Sequence, residues 1–285
     1  MIAAFRGNGV RLTFVHLAAI LPMIGGCHAV PQPAALPTKH QLQVDQLVFN
    51  SNFVLADDHR LVRELTAERN DVCQMLALPC SNEPIEVYLF SDPDTYQQFL
   101  LQRFPSVPSR RAFFLETDTR LCVYAFWGDR VAEDLRHEVA HGYLHAVVPG
   151  LPLWLDEGLA EFFEVPRGNG GLNRPHVELL ADMMQHDGWQ PDLTELEQLA
   201  HAGQMDQRHY AEAWAWVYFL LNSDAQSRQL LVSYIADVRA HGRAEALSVR
   251  LAAKYVEPER TLAEFLTGVK HDIVAQKSNE LRNAK

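Results

Sequence analysis

The spacing of apolar residues changes several times along the chain, and each change marks an element. Residues 47–55 form a β-rich run, after which Leu61, Leu65 and Val72 recur at helical spacing within a predicted helix over 58–76. Ile85–Phe90 is a second predicted strand. In Ser91-Asp92-Pro93-Asp94, Asp92 suits an N-cap and Pro93 the first helical position of a helix running to Arg103, which Pro105 and Pro108 end. Residues 112–115 and 121–126 are short β-rich runs on either side of the polar Glu116-Thr117-Asp118-Thr119-Arg120, the pattern of a hairpin. A helix is predicted to start near Asp129. Glycines 168, 170 and 171 mark a loop, and from His176 the chain reads as helical almost to its end, with amphipathic stretches over 211–221 and 229–240. The fold class that follows is α+β: a small mixed sheet with helices over 46–165, then a mainly helical C-terminal subdomain over 166–285.

The first 45 residues have a different character. Arg6 and Arg11 precede an apolar run over 12–24 and then Gly25-Gly26-Cys27, the order of a secretory signal over 1–26, and the run is short for a bilayer span. Residues 27–45, with Pro31, Pro33 and Pro37, suit an extended tether. Ile24-Gly25-Gly26-Cys27 resembles a bacterial lipobox, which implies a lipid anchor on Cys27 and a membrane-anchored lipoprotein of the cell envelope. Export would let a disulfide persist. Cys73 and Cys80 are the candidate pair, with buried free thiols as the alternative. The formal net charge of −11, with Lys and Arg scattered and no basic stripe, excludes a nucleic-acid binder.

The chemistry concentrates at His137-Glu138-Val139-Ala140-His141. Four residues are slightly more than one helical turn, so both imidazoles project from one face and can share a tetrahedral zinc ion, with Glu138 beside its open position. Val131, Leu135, Val139 and Tyr143 form an apolar stripe on the opposite face, which would bury the helix and fix the ligands. A third protein ligand is needed, and Glu157, within the acidic Asp156-Glu157 pair downstream, is the candidate. Asp156 would point about 100° away on a helix and is expected to cap it or bind a neighbour. His145 lies a further turn along the first helix, where continuing rotation turns it away from the metal. A histidine six positions after His141 would signal a metzincin, and Val147 stands there.

Trp154, Leu155, Glu157, Gly158 and Ala160 match the W-L-x-E-G-x-A motif of the gluzincin metallopeptidases, and the chain resembles that group. The runs Arg110-Arg111-Ala112-Phe113-Phe114, Asp134-Leu135-Arg136-His137-Glu138 and 151–164 are similar to the peptidase-MA-like family of exported bacterial proteins, over roughly 46–235. The resemblance implies a zincin-like fold over 46–165, zinc held by His137, His141 and Glu157, and a catalytic Tyr210 that steadies an oxyanion, with a packing tyrosine as the alternative. It also implies that Glu161 accepts a hydrogen bond from a ligating imidazole, a surface carboxylate being the alternative. Glu164 is assigned to surface charge, Trp214, Trp216 and Phe219 to the core.

The function that follows is zinc-dependent peptide-bond hydrolysis, in which a metal-activated water loses its proton to Glu138 as general base. The strand over 121–126 precedes the metal helix, and the resemblance implies that it forms the sheet edge above the cleft, where an extended peptide substrate adds as another strand. The competing expectation is a catalytically silent zinc-binding envelope protein that serves as a binding or scaffold module. Such a protein has no need of Glu138.

Overall fold

A computed structural model of the chain describes residues 35–283, so the expected signal, Cys27 and the first part of the tether lie outside the described residues. The order of elements is β1 (His40–Val44), β2 (Leu47–Ser51), α1 (Arg60–Met75), β3 (Ile85–Phe90), α2 (Pro93–Arg103), β4 (Ala112–Thr117), β5 (Arg120–Phe126), α3 (Val131–His145) and α4 (Leu153–Phe163). It continues with α5 (Arg174–His186), α6 (Leu193–Gln198), a 3₁₀ turn at Ala202–Gln204, α7 (Gln207–Asn222), α8 (Ala225–His241), α9 (Leu247–Lys254) and α10 (Pro258–Asn283). The architecture is α+β, with every described helix after Pro166 free of strands. No described helix is long and apolar enough to cross a membrane.

The five strands form one mixed sheet in the order β1-β2-β3-β5-β4, with β2, β3 and β5 parallel and the two outer strands antiparallel to their neighbours. Two expectations are corrected here. His40–Val44, inside the stretch assigned to the tether, pairs with β2 because its residues alternate between half-buried and exposed along one sheet edge. The edge beside the metal helix is β4, not the strand over 121–126, since the hairpin folds β4 outward and leaves β5 between β3 and β4.

The period of two divides the sheet's side chains between two cores. Val87, Leu89, Phe114, Val123 and Ala125 join the large core under α1 and α3, while Tyr88, Phe90, Phe113, Cys122 and Tyr124 meet α2 in an aromatic cluster on the other face. Asp92 caps α2 as its sequence implies, accepting a hydrogen bond from the Thr95 amide at 2.9 Å. Cys73 and Cys80 form a disulfide between the end of α1 and the loop before β3, and Cys122 is a buried free thiol.

α3 lies over the sheet with Val131, Leu135, Val139 and Tyr143 all buried, as the apolar stripe predicts. α4 packs against both α3 and α7. Its Gly158 sits so close to α7 that a Cβ there would meet the Ala213 carbonyl oxygen at 2.5 Å. That close crossing carries the start of α7 to the same side as the polar face of α3. Trp214, Trp216 and Phe219 are core residues.

Candidate metal centre

α3 supplies His137, Glu138 and His141 from one side of the helix, and α4 brings Glu157 against them. The Nε2 atoms of His137 and His141 are 3.3 Å apart, and Glu157 Oε2 lies 3.6 Å from the first and 3.7 Å from the second. Donors about 2.0–2.1 Å from a tetrahedral ion are separated by about 3.3–3.4 Å, so this triangle is close to one face of such a shell. His141 and Glu157 are wholly buried. The three residues could hold a metal ion.

The outer nitrogens fix the tautomers. His141 Nδ1 donates to Asp156 Oδ1 at 3.0 Å, and His137 Nδ1 donates to Glu164 Oε2 at 3.2 Å. An ionised carboxylate only accepts, so each imidazole carries its proton on Nδ1 and turns a lone pair on Nε2 inward, the form a metal needs. Burial alone would lower the His137 pKa, but the carboxylates of Glu157 and Glu164 outweigh it and raise it well above the ordinary imidazole value. Without a cation, these carboxylates draw a proton onto His137, and a metal ion would take that proton's place.

Asp156 binds a neighbour, as expected of it, and the neighbour is His141. Its second oxygen accepts from His145 Nε2 at 2.9 Å, and His145 Nδ1 donates to Glu116 Oε2 on β4 at 2.7 Å. Burial would lower His145, yet Asp156 and Glu116 raise it to about 10, so it stands as a cation that keeps the buried Asp156 carboxylate ionised. Asp156 itself is held well below the usual carboxylate range, burial being overcome by His145 and His141. His145 therefore supports the triangle from behind instead of joining it.

Two assignments change places. Glu161 does not bind a ligating imidazole; it accepts from His176 Nε2 at 2.8 Å. Glu164, assigned to surface charge, is the acceptor for His137 and is steadied by Asn173 Nδ2 at 3.0 Å. Glu164 is the C-cap residue of α4, about one turn beyond Glu161. Asn173 and His176 were given no role at the site, although Asn173 before Arg174-Pro175 is a legible helix start.

A cleft of about 470 Å³ opens over the triangle, lined by Arg110 and Ala112 at the start of β4, His137 and Glu138 of α3, and Tyr210 in the first turn of α7. Glu138 Oε2 and the Tyr210 hydroxyl are both buried and have no hydrogen-bond partner among the described residues. Burial, with Glu157 and Glu161 nearby, raises Tyr210 above the ordinary phenol value, so its hydroxyl keeps its proton as a donor. The other candidates at the start of α7 have structural work: His209 pairs with Asp206, and Arg208 binds Glu195 at 2.9 Å and Glu212 at 3.3 Å. Comparison of the sequence with models of protein families and with curated proteins gives no match.

Proposed function

We propose that this chain is a zinc-dependent peptidase of the gluzincin type, with a zincin-like arrangement over 46–165, exported and anchored to the membrane through Cys27. The observation that carries the reading is the donor triangle of His137, His141 and Glu157 beside a buried Glu138 oxygen that has no partner. A buried polar atom left unsatisfied costs about 1–3 kcal/mol, and it is retained where a ligand or water completes it. Imidazole and carboxylate donors with near-tetrahedral spacing suit zinc.

Zinc bound there would supply a Lewis acid that acidifies a water and polarises a carbonyl. The protein's own groups do the rest. Glu138 takes the water proton on Oε2 and returns it to the leaving amine. Tyr210 donates its hydroxyl to the developing oxyanion. The outer side of β4 has no strand partner among the described residues, and its first residues line the cleft, so an extended peptide can hydrogen-bond along it with the scissile bond near Glu138. A zinc protein without hydrolytic function would have no use for the unpartnered Glu138 oxygen, which favours the enzyme.

The test is hydrolysis of a library of extended peptides followed by mass spectrometry, before and after chelation. Cleavage that stops on chelation and returns with one equivalent of zinc is expected. Stoichiometric zinc with no cleavage across the library would favour the silent binding protein.

A further inference from the structure

A second cavity, of about 660 Å³, lies on the other side of the first turn of α3, between the start of α1, the start of α3 and the segment that follows α4. Arg60, Arg63, Arg130, Arg136 and Arg167 line it. The chain has only 25 Lys and Arg residues against 36 Asp and Glu, yet five arginines and no lysine converge here. Arginine's planar fork binds oxyanions through two parallel hydrogen bonds, whereas lysine presents a single point of charge.

The acids nearby do not neutralise this group. Glu64 is taken by Arg136, Glu133 by Arg130, and Asp71 by Arg167, leaving Asp129 against Arg60 and Arg63. The side chains of Arg60 and Arg63 have neither a hydrogen bond nor an ion pair, and both sit in the first turns of α1, where a cation opposes the helix dipole. No acid stands in that first turn. Arg136 forms a buried wall: it is 5 % exposed, donates Nε to the Glu164 carbonyl and Nη1 to Glu64, and its Nη2 makes no hydrogen bond. Local rules broken without compensation within the protein mark a place where a ligand supplies the missing partner.

We infer that this cavity binds a phosphate group, with Arg60, Arg63 and the Nη2 of Arg136 as its donors. A phosphate offers three terminal oxygens and close to two negative charges, which three guanidinium groups can share, while a single carboxylate fills one fork. The phosphate can be carried by a soluble phosphomonoester or by the phosphomonoester headgroup of phosphatidic acid. The site adjoins the metal centre through Arg136 and Glu164 but does not depend on the peptidase reading.

The experiment is calorimetric titration of the purified full-length chain with inorganic phosphate at fixed ionic strength, comparing wild type, Arg60→Gln/Arg63→Gln and the exposed control Arg243→Gln. Saturable binding of one phosphate per chain, weakened at least about tenfold in the double variant and unchanged in the control, is expected. Phosphate should also raise the Tm of wild type and leave that of the double variant unmoved, which separates loss of the site from loss of the fold. Flotation with phosphatidic acid vesicles, set against phosphatidylcholine vesicles, distinguishes the sources: arginine-dependent flotation identifies a lipid headgroup, and phosphate binding without it identifies a soluble ester. Phosphate binding no tighter than acetate or a glutamate-rich peptide, or equal binding by the double variant, would overturn the assignment.

Discussion

Two buried polar clusters stand side by side in this molecule, built from the same kinds of residue and finished differently. At the start of α7, Arg208, His209 and Glu212 close on Asp206, Glu195 and the Asp192 amide, and none of their buried polar atoms lacks a partner. In the cleft, the histidines are held just as firmly from behind by Asp156 and Glu164, but Glu138 Oε2 and the Tyr210 hydroxyl face no partner. The first cluster positions a helix. The second has the same rigidity with two groups left over, which is what a site prepared for substrate and metal requires.

That contrast can be broken at several points. Glu138→Gln removes the proposed general base while keeping the size of the side chain, and kcat should fall by about 10²–10⁴-fold with metal content unchanged, as metal analysis alongside peptide cleavage would read. The α7 cluster should answer to pH instead. Burial pushes Glu212 up to about 7, partly offset by the Asp192 amide and Arg208. The folded protein therefore holds this proton more tightly than the unfolded chain. Stability from this group is complete below about pH 4.3 and is lost as pH rises to about 7, by about 3 kcal/mol. Urea melts at pH 5 and pH 8 should show that loss in wild type and not in Glu212→Gln.

Tyr210→Phe should lower kcat by about a hundredfold with little change in KM, because its hydroxyl acts on charge that develops only in the transition state. An unchanged kcat would return Tyr210 to a packing role. The smallest effect expected is at the back of the site. Asp156→Asn keeps an acceptor for one imidazole but removes the charge that His141 and His145 share, and zinc affinity measured by chelator competition should weaken by about tenfold.

Much of the front of this site was legible in the sequence, for a local reason. The positions of His137, Glu138 and His141, and of the stripe Val131, Leu135, Val139 and Tyr143, depend only on the pitch of one helix. The strand at Ile85–Phe90 and the cap at Asp92 are local in the same sense. What escaped was set by distant contacts. Whether β4 or β5 forms the edge depends on which one pairs with β3, and the pairing that forms is 36 residues away in the register Ile85 with Leu121 to Phe90 with Phe126. Glu164 is a different case: it keeps a helical conformation at the C-cap of α4 and stands seven residues after Glu157 on the same face, so its reach to His137 was legible in the helix period. That His145 turns away from the metal was legible in the helix period, but its partners, Glu116 and Asp156, come from two other elements.

The central claim is that His137, His141 and Glu157 form one metal site, and its most direct measurement is the metal content of the purified full-length chain beside His141→Ala and Glu157→Ala. One zinc per chain in wild type, with binding weakened by orders of magnitude in both variants while each remains folded, is the expected result. A folded wild-type protein that takes up no zinc, or zinc retained equally by both variants, would contradict it.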